Sequence, residues 1–170
     1  MTTLTQPLRD EHRELYPEVE RILTAADLVG RASVDEVRQA VDAAYKFLAY
    51  HLLPHAQAED AALYPTVQQV LGSPEATRTM SRDHVEVGRY IDELAALKNG
   101  LTGISLTISQ ITELRRVLYG LYAMVKLHFA KEEEVYLPIL DQRLTPEAAT
   151  EMFERMEAAA HKAKHALHGV

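Results

Sequence analysis

The sequence predicts an all-α protein, an up-down-up-down four-helix bundle with an additional fifth helix at its C-terminal end. Three observations predict it. Apolar residues recur at helical spacing along most of the chain. The composition favours Ala, Leu, Val and Glu, with seven glycines and no tryptophan in 170 residues. Capping and helix-breaking residues divide the chain into four long stretches and one shorter one. The length is that of one ordinary domain, so residues 1–170 read as a single domain, the bundle over about 6–143 and the extra helix over about 146–168.

The first helix is expected over 6–28, where Leu8, Leu15, Val19, Ile22 and Leu23 share a face, with Gly30 beyond its end and Pro17 bending it. Ser33-Val-Asp-Glu36 has the pattern of a capping box and opens a long second helix to about residue 71. Gly72-Ser73-Pro74-Glu75 then combines a terminating glycine, an N-cap serine and a proline at the first helical position, which starts a third helix running to about Lys98. Asn99-Gly100 ends it, and after a Gly/Thr/Ser-rich connection over 99–107 a fourth helix runs to about Arg143. Thr145-Pro146-Glu147 caps the fifth, amphipathic helix, whose apolar positions are Met152, Phe153, Met156 and Leu167. Long helices joined by short turns pack with neighbours antiparallel, which leaves the fifth to dock outside the bundle.

Composition excludes several classes of function. With 18 basic and 25 acidic residues, a net charge of -7 disfavours nucleic-acid or anionic-membrane binding. The absence of cysteine removes disulfides, zinc fingers, iron-sulfur clusters and thiol catalysis. Neither a basic-then-apolar leader nor an apolar run approaching the roughly 20 residues of a spanning helix is seen, so a cytoplasmic location is expected.

The chemistry lies in a repeat. His55-Ala-Gln-Ala-Glu59 runs on to Tyr64-Pro65, and His128-Phe-Ala-Lys-Glu132 runs on to Pro138, the proline ten positions beyond the histidine in both. A lone histidine in a charged turn lies upstream of each copy, His12 and His84, at separations of 43 and 44 positions. On a helix, i and i+4 share a face, so each pair presents a nitrogen and a carboxylate in one direction. The second and fourth helices run the same way, so their pairs meet at one depth, with His12 and His84 entering from the other two. Two glutamates facing a core need protonation or cations. Four imidazoles and two carboxylates exceed the four ligands of structural zinc and suit a pair of iron or manganese ions, zinc less well.

Through Asp10-Glu-His12, His55-x3-Glu59 with Leu63-Tyr-Pro65, Asp83-His84, and His128-x3-Glu132-Glu133 with Leu137-Pro138, the chain resembles the hemerythrin-like (HHE) domains over residues 8 to 140. The resemblance implies a non-haem di-iron centre in a four-helix bundle, carboxylate-bridged by Glu59 and Glu132 and oxo- or hydroxo-bridged. Its metal ligands would be His12, His55, Glu59, His84, His128 and Glu132. Family members bind O2 reversibly, handle peroxide or nitric oxide, or sense iron and oxygen. Respiratory members carry a second histidine one turn along the third helix, where this chain has Met80 and Gly88. Their fourth-helix carboxylate is an aspartate at i+5, where this chain has Glu132 at i+4. Tyr16, Tyr136 and His51 lie on faces from which they can fill the unmatched position, which otherwise stays open to water or substrate.

Other features read more plainly. His51 is expected to bond a carbonyl freed by Pro54, and Tyr16 and Tyr136 to make core or supporting hydrogen bonds if they do not ligate. Glu133, Glu134 and Asp60 read as solvated, or at most as orienting the histidines. His161, His165 and His168 form a polar outer row.

The leading function is binding of O2 or a related small oxidant, H2O2 or NO, with peroxide decomposition as an enzymatic variant using the same ligands. An iron- or oxygen-sensing or iron-handling module is the alternative, and a metal-free partner-binding bundle a further one. No histidine has a glutamate three positions before it, which argues against a ferritin-like oxidase.

Overall fold

The computed structural model describes residues 3–168, the side chains of Leu167 and His168 excepted, and contains five helices and no strand in that span. They are α1 (Gln6–Leu28), α2 (34–71), α3 (Arg78–Asn99), α4 (108–143) and α5 (Pro146–His168). Helices α1 to α4 form the up-down-up-down bundle, and α5 packs outside it against the stretch 53–63 of α2. No helix among the described residues is long and apolar enough to cross a membrane.

Local chemistry sets the helix ends. Ser33 and Glu36 make both arms of the capping box, Glu36 N–H donating to Ser33 Oγ at 3.3 Å and Ser33 N–H to Glu36 Oε2 at 2.9 Å. Thr107 and Gln110 do the same for α4, a second box not read from the sequence. At the start of α1, Thr5 is buried and gives both its backbone N–H and its hydroxyl to Asp141 near the end of α4, at 2.8 and 3.0 Å. Gly30 and Gly72 have positive φ, 77° and 65°, which an L side chain would strain.

The start of α3 differs from the sequence reading. Residues 74–77 form turns, and the helix begins at Arg78 behind Thr77, not behind Ser73. Thr77 does not cap with its side chain because its buried hydroxyl accepts from Gln68 Nε2 at 2.7 Å. That bond ties the turn to the end of α2.

The interior prolines have a common solution. Pro54, Pro65 and Pro138 each follow a single π turn, at Leu48–Leu52, Glu59–Leu63 and Glu132–Tyr136. Proline lacks an N–H and its ring collides with the carbonyl four residues back. Widening the preceding turn by one residue moves that carbonyl aside. The residue just before each proline closes the wide turn, as Tyr64 N–H does on Glu59 O and Leu137 N–H on Glu132 O. The helices therefore continue past Pro65 to Leu71 and past Pro138 to Arg143. Helix α1 passes through Pro17 as one continuous helix.

The core is in two parts. One apolar cluster holds Val19, Leu52, Val87, Val125 and Phe129, the other Leu8, Ala58, Leu63, Met80 and Leu137. Between them in sequence on every bundle helix stands one of the repeat histidines: His12 between Leu8 and Val19, His55 between Leu52 and Ala58, His84 between Met80 and Val87, His128 between Val125 and Leu137. A polar layer thus divides the core.

Candidate metal centre

The wide turns aim the carboxylates of that layer. Glu59 and Glu132 are each the first residue of a π turn, and both are fully buried. Glu59 places Oε1 2.9 Å from His55 Nε2 and 3.7 Å from His12 Nε2, and its other oxygen 3.2 Å from His84 Nε2 and 3.8 Å from His128 Nε2. Glu132 repeats the pattern with its oxygens exchanged, Oε2 3.4 Å from His12 Nε2 and Oε1 3.4 Å from His128 Nε2. Glu59 spans two pairs of imidazoles, His12 with His55 and His84 with His128, and Glu132 approaches one member of each. Two ligand groups close enough to hold one ion each emerge, His12-His55-Glu59 and Glu59-His84-His128, and they share Glu59.

Buried polar atoms seldom go without a partner. Here the Nε2 atoms of His12 and His55, both oxygens of Glu59 and Oε2 of Glu132 are buried without a hydrogen bond. All face one another in the cage, and a cation among them supplies what each lacks. The donor set of imidazole nitrogens with bridging carboxylates fits first-row transition ions.

The titration of the metal-free cage carries the same mark. Burial pushes the Glu59 carboxyl up, but His55 and the other imidazoles that face it outweigh burial and hold the group well below the usual carboxylate range. Burial pulls His55 down, yet Glu59 and Glu11 push it up to about 10. His128 rises to about 11 because Asp83, Glu132 and Glu59 outweigh its burial. Without metal, protonated imidazoles balance the charge of the ionised Glu59 carboxylate.

One residue joins the cage unannounced. Tyr64, almost fully buried, donates its hydroxyl to Glu132 Oε1 at 2.8 Å, and the Tyr64 phenolic oxygen lies 3.1 Å from His128 Nε2 and 3.3 Å from His84 Nε2. It fills the corner beside His84 that the sequence comparison of Met80 and Gly88 leaves unassigned. Burial first, then Glu59 and Glu132, push its phenol far upward. Its place follows from the π turn: Tyr64 is five residues after Glu59, and one widened turn brings i and i+5 onto one face.

The three residues considered for that corner are elsewhere. Tyr136 is four residues after Glu132 but inside the π turn, and it donates to the Ala76 carbonyl at 3.0 Å. Tyr16 packs edge-on against Phe129 at 5.6 Å, with the Lys126 amine 5.4 Å over its ring. His51 is exposed and lies parallel to Phe47 at 6.5 Å, not on a carbonyl freed by Pro54 among the described hydrogen bonds. On α5, exposed His161 and His165 approach to 3.1 Å through their Nε2 atoms, while the side chain of His168 lies outside the described residues.

Apolar groups seal the cage. Phe129 stacks on His12 at 4.2 Å and 11° and meets His55 edge-on at 5.8 Å. A cavity of about 20 Å³ is lined by His55, Glu59, His84 and His128 together with Leu52, Ala56, Val87, Val125 and Phe129. A space of roughly 10–15 Å³ on this measure holds one water, so the cavity is of the size of a single water-sized molecule.

No curated protein and no solved structure matches the chain significantly. The family model described as "Hemerythrin HHE cation binding domain" matches residues 3–140, which contain α1 to α3, α4 up to its last three residues, and the whole cage. By that match the chain belongs to the hemerythrin HHE cation-binding domain family.

Proposed function

We propose that the protein holds two iron ions in this cage and binds O2 or a related small oxidant, H2O2 or NO, beside them. The observation that carries the reading is the pair of buried glutamates, each reaching two imidazole pairs with opposite oxygens. On the reading, His12 and His55 hold one ion and His84 and His128 the other, with Glu59 and Glu132 across both. Iron pairs supply electrons to an oxidant two at a time without a further redox group. Manganese or zinc fits the same donors less specifically.

The two positions are unequal, and the inequality sets where an oxidant enters. Tyr64 gives the His84-His128 position a fifth donor. The matching residue of the other repeat, five after Glu132, is Leu137, which is buried and has no donor to give. The His12-His55 position is therefore the one left open. Phe129 and the small cavity restrict the space to a single water-sized molecule. Carrier and peroxide-decomposing enzyme use the same residues on this reading.

Metal analysis after expression with iron available, with absorption spectra before and after O2 or H2O2, tests it. Two irons per chain and an oxidant-dependent charge-transfer spectrum are expected. A metal-free, spectrally silent protein overturns the reading. Gas evolution from added peroxide separates the enzyme from the carrier.

A further inference from the structure

The four cage histidines share an outer arrangement that the inner contacts do not require. Nε2 of each points into the cage, and Nδ1 of each faces a carboxylate. Glu133 Oε1 lies 3.2 Å from His12, Glu11 Oε1 3.0 Å from His55, Asp60 Oδ2 2.8 Å from His84 and Asp83 Oδ2 3.1 Å from His128. Three of these have hydrogen-bond geometry, and the Glu11 contact is an ion-pair approach with poorer alignment.

Each carboxylate is a sequence neighbour of a cage residue on one helix and serves the histidine of the next. Glu11 precedes His12 and serves α2; Asp60 follows Glu59 and serves α3; Asp83 precedes His84 and serves α4; Glu133 follows Glu132 and serves α1. The circuit closes, and both halves of the repeat use the same two offsets. Two of the four are anchored in turn, Asp60 by Ser81 Oγ at 2.7 Å and Asp83 by Lys131.

We propose that Glu11, Asp60, Asp83 and Glu133 form a ring of positioning residues that fixes every cage histidine with its proton on Nδ1 and its Nε2 lone pair turned inward. An imidazole whose Nδ1–H donates to a carboxylate cannot present that nitrogen to a metal, and its other nitrogen becomes more basic. Chance surface ion pairs do not account for the pattern, since they would not place the carboxylate at the same two sequence offsets in both halves of the repeat. Because each carboxylate comes from a different helix than the histidine it holds, the ring also makes the cage geometry depend on all four helices being in register. The inference rests on the metal reading above and adds to it the tautomer and the residues that set it.

The test uses the full chain and zinc as a diamagnetic probe. Imidazole nitrogen NMR of the zinc-loaded protein should find all four histidines protonated at Nδ1 and bound through Nε2. Asp60→Ala and Glu133→Ala should each weaken zinc binding about 10- to 100-fold in chelator competition, and Asp60→Asn, which keeps an acceptor, should recover part of the loss. Binding through Nδ1 at any cage histidine, or zinc affinity unchanged in the folded alanine variants, overturns the ring while leaving the metal reading intact. If the alanine variants do not fold, the tautomers of the wild-type protein decide alone. A wild-type chain that takes up neither zinc nor iron overturns both.

Discussion

At the scale of single residues, Tyr64 decides between two descriptions of the centre. Its hydroxyl is within hydrogen-bond distance of His84, His128 and Glu132, so Tyr64 would offer an oxygen donor to an ion held there. Tyr64→Phe removes one atom from a buried site and leaves both carboxylates and all four imidazoles. The expected result is iron content near that of the wild type with loss of any visible phenolate-to-iron band, read by absorption and metal analysis. Tyr16→Phe and Tyr136→Phe should leave the band in place, since neither hydroxyl is bonded to a cage atom among the described hydrogen bonds. Protonation of the same residues sets a pH dependence. His55 and His128 titrate near 6.5 when unfolded but at about 10 and about 11 in the metal-free fold. Such groups stabilise fully below about 6.5, and that contribution is lost as pH rises through the folded values. Glu59, lowered from 4.5, stabilises above that value and loses its contribution as pH falls. The metal-free protein should therefore melt lower at pH 9 than at pH 6. Metal competes with the same protons, so the loaded protein should not lose melting temperature over that interval, and its metal should dissociate on acidification.

At the scale of elements, capping and wide turns carry separate parts of the design. Ser33→Ala or Thr107→Ala removes one arm of a capping box and should cost about 1 kcal/mol in urea unfolding without altering metal content. The Ser33 box was legible from Ser33-x-x-Glu36 because the pattern is local. The six cage residues were legible because i and i+4 spacing on helices of known direction suffices to bring them together. The start of α3 was not, since Ser73-Pro74 satisfies the local rule for a helix start but a tertiary bond from Gln68 to Thr77 holds the chain in turns until Arg78. Tyr64 escaped for a different reason. α-helical periodicity places Tyr136 on the ligand face at i+4 and Tyr64 off it at i+5, and the π turns reverse both assignments. The sequence signal for such a turn is the proline that follows it, present at 65 and 138. The outer carboxylates lie next to cage residues in sequence, yet each faces a histidine of the adjoining helix, which no single-helix pattern displays.

At the scale of the whole molecule, the split core makes the centre depend on an element outside the bundle. The polar layer interrupts apolar packing on all four helices, so the smaller cluster containing Leu8, Leu63 and Met80 cannot draw on the larger one directly. Helix α5 completes it by burying Met152 and Met156 against the stretch 53–63, which carries His55 and Glu59. Burial of these side chains contributes hydrophobic stabilisation next to the π turn and its buried carboxylate. Met152→Ala should therefore cost about 2–5 kcal/mol of stability, the range for a buried methionine truncated in a packed interior. It should also release metal at lower urea than the wild type, although residue 152 touches no ligand. Ile104→Ala, at a side chain 98% exposed in the connection before α4, supplies the comparison and should change neither reading. Urea titrations followed in parallel by helical circular dichroism and by a metal-sensitive chromophore distinguish the cases. If Met152→Ala lowers the unfolding midpoint while metal release still coincides with global unfolding, α5 supports the fold as a whole. If release precedes unfolding, α5 is the lock on the His55-Glu59 turn, and the hemerythrin-like cage has been made dependent on a helix beyond the family-matched residues 3–140.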